Sequence, residues 1–119
     1  MAIGDYVEVF TDEDRDLTFI VKDKNADGGF LDITGATEIV VSFPQELSSD
    51  ALEKKLTESD VSIVSGPGGK FTVSLDTTDT ALLKYGERQD VTALITLSSG
   101  AKRRVRFHDV LTVPAPLFS

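Results

Sequence analysis

Apolar and polar residues alternate along most of this chain with a period of two, the period of strands with one buried face. From Asp16 to Lys22, Leu17, Phe19 and Val21 share one side, and Thr18, Ile20 and Lys22 share the other. Thr37 to Phe43 repeats the pattern with Ile39, Val41 and Phe43, and Pro44 ends it because proline cannot donate to a ladder. Lys70 to Leu75 places Phe71, Val73 and Leu75 inward, and Gln89 to Leu97 does so with Val91, Ala93, Ile95 and Leu97. Lys102 to Val113 is the longest such run. Val105 and Phe107 set its inward phase, Leu111 and Val113 keep it, and Asp109 interrupts it, which predicts a bulge near His108-Asp109. Asp5 to Thr11 reads as a first strand at an edge, and Phe30 to Ile33 and Val61 to Val64 as short extended pieces.

Turn formers separate these runs. Thr11 to Arg15, Asp23 to Gly29, Ser65-Gly-Pro-Gly-Gly69 and Ser98-Ser-Gly100 each concentrate Gly, Asp, Asn, Ser or Pro. Asp76 to Gly86 reads as a short helical turn near 77–84, capped by Asp76 or Thr77 and closed by Gly86. Ser48 to Val61 is ambiguous. Propensity favours a helix capped by Ser49 or Asp50, whereas Leu52 and Leu56, four apart, suit either a helical seam or a strand face. The expectation is an all-β, immunoglobulin-like antiparallel β-sandwich of seven to eight strands. It occupies 1–119 as a single domain, with 114–119 as an extended, proline-locked C-terminal arm.

Composition narrows the chemistry. The 119 residues include no cysteine, which removes disulfides and thiolate metal sites. The formal net charge of −8 opposes phosphate backbones and anionic membranes, so neither nucleic acid nor membrane is an expected partner. The N-terminus lacks the basic-then-apolar profile of a signal peptide, which points to synthesis in the cytoplasm.

His108 is the single histidine. Its neighbour Asp109 would point to the opposite face of a regular strand, so a Ser-His-Asp arrangement is not expected, and neither is an enzyme or a cofactor. Asp23-x-Asn25-x-Asp27-Gly28 copies the first half of a calcium loop, and Asp32 could add an oxygen. Thr34 stands where the closing bidentate carboxylate belongs, so the loop reads as a polar hairpin, with weak calcium binding as the alternative. Lys102, Arg103, Arg104 and Arg106 form a basic cluster in an acidic chain. They are either a solvated, aggregation-resistant strand or a contact for acidic groups on a neighbouring copy. Leu117 and Phe118 either fold back on the core or dock on a partner subunit.

Leu17-Thr-Phe-Ile-Val-Lys-Asp23, Asp32-Ile-Thr-Gly-Ala36, Ile39 to Phe43, Gly69 to Leu75, Asp79-Thr-Ala-Leu-Leu83 and Val110-Leu-Thr-Val113 together resemble a small domain of tailed-bacteriophage structural proteins. In this respect the chain is similar to the N-terminal domain of phage baseplate upper proteins. The resemblance implies an immunoglobulin-like virion building block that assembles with other virion proteins and with copies of itself. It also implies that Ala51 to Thr57 is a strand paired toward Val61 to Val64. The chain ends directly after the sandwich, unlike multi-domain baseplate proteins, so capsid decoration or a head–tail position is the alternative. A carbohydrate- or calcium-dependent binding module is the reading from another class.

Overall fold

A computed structural model describes residues 7–10, 14–23, 29–45, 50–83 and 88–113. Nearly all of the regular structure is extended. In chain order the strands are β1 (Val7–Phe10), β2 (Arg15–Ile20), β3 (Glu38–Phe43), β4 (Leu52–Lys55), β5 (Val61–Ser65), β6 (Lys70–Leu75), β7 (Arg88–Thr96) and β8 (Lys102–Val113). One α-helix, α1 (Thr77–Leu82), lies between β6 and β7, and a single 3-10 turn spans Leu56–Glu58.

The strands form two sheets. One has the order β1-β8-β7-β3-β4 and the other β2-β6-β5. The expected alternation explains why they close on each other. Leu17, Phe19 and Val21 from one sheet and Ile39, Val41, Phe43, Val91, Ala93 and Ile95 from the other are all buried in a shared core with Phe71, Val73 and Leu75. Each large side chain removed from water in this way contributes roughly 1.5–3 kcal/mol before the ordering entropy is counted. Phe19 and Phe71 stack at 5.6 Å, and Phe107 of the opposite sheet approaches Phe19 at 4.7 Å. Aromatic contact therefore bridges the two layers directly.

Two features depart from the expectations and a third meets them. The sandwich is not purely antiparallel, because β1 runs parallel to β8 with Val7 registered on Val110 and Phe10 on Val113. The segment around 52–55 is a strand, but it pairs with β3 (Phe43 on Leu52, Val40 on Lys55) and not with β5, which belongs to the other sheet. The bulge at His108-Asp109 is present: Val91 pairs with Phe107 and Gln89 with Val110, leaving two residues of β8 opposite Asp90 alone. The side chains of Leu111 and Val113 lie outside the described residues, and only the backbone register is described there. Thr112, rather than Leu111 or Val113, is registered on the fully buried Val9.

The turns follow their residues. The Leu97 to Ala101 hairpin closes through Gly100, whose φ of 92° suits a three-residue loop with glycine in the left-handed region. At the other β-turn, Gly66 and Gly69 carbonyls accept the N–H groups of Ile33 and Val21. A Cβ on Gly69 would stand 2.7 Å from the carbonyl oxygens of both Leu31 and Val21, so only glycine fits there.

Candidate functional site

The core fixes where the basic cluster points. Val105 and Phe107 face inward, so the alternation of β8 sends Lys102, Arg104 and Arg106 outward, where all three are exposed. Their register extends across the outer face of the five-stranded sheet. Arg106 lies beside Thr92 and then Ser42 and Glu53; Arg104 beside Leu94, Val40 and Lys55; Lys102 beside Thr96 and Glu38. Leu94 and Val40 are half-buried and form a short apolar strip next to the cations. Lys102, Arg104 and Arg106 form no ion pair with another described residue.

Arg103 does not share this face. It falls on the inward phase at the end of the strand, where its guanidinium leaves the core and reaches Asp23 Oδ2 at 3.6 Å. The basic cluster therefore divides into an outward column of three and a separate arginine engaged with the loop after β2.

That contact also bears on the calcium-like loop. Asp23 carries the Arg103 contact, and Asp32 Oδ1 accepts the Thr34 N–H at 2.9 Å. The hydroxyl and backbone of Thr34 together hold the Asp32 carboxyl below the usual carboxylate range. Asn25 and Asp27 lie outside the described residues, as do Leu117 and Phe118 of the arm 114–119. Among the described residues no group of three or more His, Asp or Glu side chains is placed to hold a metal ion. The backbone of His108 belongs to the β8 bulge; its side chain also lies outside the described set.

A second constellation sits at the opposite end, around α1. Asp76 caps the helix: its Oδ1 accepts the Asp79 N–H at 2.8 Å, and Asp79 Oδ2 accepts the Asp76 N–H at 3.0 Å. This reciprocal arrangement satisfies two helix-terminal donors that would otherwise be orphaned. Lys54 of β4 completes it, with Nζ 2.8 Å from Asp79 Oδ2 and both side chains largely buried. Asp14 Oδ1 accepts the Thr77 N–H. The Asp79 backbone N–H is the main reason the Asp76 carboxyl lies below its ordinary value, with the Lys54 charge adding to the effect. Between these groups, Asp60, Ser74 and Leu75 complete an open cleft of about 380 Å³. Its lining is four aspartates against one lysine, and that lysine is already engaged.

The sequence offers Asp76 or Thr77 as the cap, and the structure selects Asp76; Asp79 and Lys54 were not expected. The Asp76-x-x-Asp79 spacing was a usable signal for the first, since a carboxylate three residues after a cap can reach back to it. No local signal marks Lys54, whose partner lies 25 positions away on another element.

The chain matches no known family model and no curated protein. Among the described residues no helix is long and apolar enough to cross a membrane.

Proposed function

We propose that this chain is a non-enzymatic structural protein of a tailed bacteriophage, made in the host cytoplasm and built into the virion through protein–protein assembly. The observation that carries the reading is the outward column Lys102, Arg104 and Arg106. It consists of exposed cations with no ion pair among the described residues, on a sheet face of a chain whose net charge is −8. Such a column is well hydrated in the isolated chain, yet offers a strong match to carboxylates on a neighbour.

The strand order supports an immunoglobulin-like sandwich as the scaffold. In that fold strands B, E and D lie in one sheet and strands G, F and C in the other, and the variable type adds its extra edge pair beside C. Here β2-β6-β5 and β8-β7-β3-β4 correspond to these two groups, with β1 added in parallel on β8. The resemblance to baseplate upper proteins supports a tail or baseplate position, and capsid decoration is the alternative within the same class. A calcium-dependent binding module has less support, because Asp23 and Asp32 are engaged by Arg103 and Thr34. Among the described residues, exposed Phe30 is the one aromatic that favours a carbohydrate-binding version.

The test is the genomic setting followed by particle analysis. Flanking capsid or tail genes, and the chain recovered in stoichiometric amounts from purified particles, support the reading. A metabolic neighbourhood, or particles that lack the chain, overturns it.

A further inference from the structure

Charge in this molecule is separated along the strands as well as between faces. Strand β7 runs from Arg88, on the side of α1, to Thr96, beside the 97–101 hairpin. Its eight steps span ~26 Å at about 3.3 Å per residue. Lys102 pairs with Thr96 and Arg104 with Leu94, so the basic column occupies the hairpin end and the middle of the sheet. Lys70 opens β6 at that same end, as the Arg103–Asp23 contact beyond β2 requires.

The α1 end is acidic. Asp16 pairs with Ser74, and the Ser74 N–H donates to the Asp60 carbonyl, so Asp16 and Asp60 flank one residue of β6. Asp14 stands beside them at the cleft. The side chains of Asp16 and Asp60 make no hydrogen bond or ion pair with another described residue, and Lys54 is already held by Asp79.

We propose that copies of this chain associate head to tail, with the β8 column of one copy seated against Asp14, Asp16 and Asp60 of the next. The inference rests on the assembly reading above and adds the two surfaces that meet. A second copy is the occupant because the same chain supplies both signs of charge, at opposite ends. An isologous contact through either end would set like charges against each other, which is unfavourable, whereas the heterologous contact pairs opposite ones. The half-buried Leu94–Val40 strip beside Arg104 supplies apolar area to the same interface. Heterologous contacts close into rings or extend into filaments, which is the geometry a symmetric particle uses.

Complementation tests this directly. Sedimentation velocity is run on the wild-type chain, on R104E/R106E, on D16K/D60K, and on an equimolar mixture of the two variants. Neutral versions, R104Q/R106Q and D16N/D60N, are run in parallel in case a reversed charge perturbs folding, with circular dichroism as the check. The expected result is salt-sensitive association of the wild type, at least about tenfold weaker association of each variant alone, and a 1:1 complex in the mixture. The mixture is decisive, since each variant keeps the surface the other lacks. Wild-type association with no complex in the mixture, or variants that associate as the wild type does, overturns the head-to-tail pairing and leaves the assembly reading standing. A wild type that stays monomeric at high concentration overturns both.

Discussion

Lys54 Nζ lies 2.8 Å from Asp79 Oδ2, and this pair ties the edge strand of one sheet to the helix that leaves the other. Both side chains are nearly nine-tenths buried. Removing one partner leaves a poorly solvated charge, which costs more than the pair itself contributes. Asp79→Ala also removes half of the reciprocal cap. We expect Asp79→Ala to lower unfolding free energy by about 2–4 kcal/mol and Lys54→Ala by about 1–3 kcal/mol. A double-mutant cycle in urea should return a coupling of about 1–2 kcal/mol. Strictly additive single effects would mean that the two groups act independently.

Glycine positions separate by what surrounds them. Gly69 has a φ of 63° and two carbonyl oxygens where a Cβ would stand, whereas Gly100, at a φ of 92°, faces open space. Gly100→Ala bears only the left-handed backbone penalty of roughly 1–2 kcal/mol. Gly69→Ala adds backbone collision and should cost at least about twice as much. Thermal melts of the two variants check the order; equal losses would contradict the packing of the 66–69 turn on Leu31 and Val21.

Acid should destabilise the fold through specific carboxylates. Burial pushes the Glu38 carboxyl up, but donors from Thr57, Ile39 and Leu56 together outweigh it and hold the group below its ordinary value. A carboxyl lowered in the folded state binds protons more weakly there than in the unfolded chain. The stability it provides is complete above the unfolded pKa and is lost as pH falls through the folded one. Unfolding free energy should therefore be flat from neutral pH to about 5 and fall below about 4.5. Glu38→Gln should start lower at neutral pH and fall less steeply on acidification. An unchanged slope in that variant would remove Glu38 from the account.

The three-ring contact across the layers predicts unequal losses. Phe71 is fully buried and Phe107 half-buried. Phe71→Ala should cost about 3–5 kcal/mol and Phe107→Ala less, about 2–3 kcal/mol. Loss of near-ultraviolet dichroism at unchanged strand content would report the loosened inter-sheet contact.

The faces of β3, β6 and β7, and of β2 with Val21 just beyond its end, were legible because each run carries three or more apolar residues at period two. A shift by one position would expose the whole set. The direction of β1 was not legible, since pairing with β8 joins residues about a hundred positions apart and no local pattern encodes which way an edge strand runs. The partner of β4 was hidden for a related reason. Leu52 to Lys55 has one apolar residue in four, so burial does not specify its register, and β3 claims it through tertiary context. In the candidate site, the outward direction of Lys102, Arg104 and Arg106 followed from Val105 and Phe107 alone. The diversion of Arg103 to Asp23 required the loop after β2 to be placed first.

Assembly of this chain through charge is tested most directly by its mass in solution. Sedimentation velocity over rising protein concentration should show association that strengthens with concentration and weakens as salt screens the β8 cations. A monomer that stays monomeric at the highest concentration, in low salt as in high, would contradict the account.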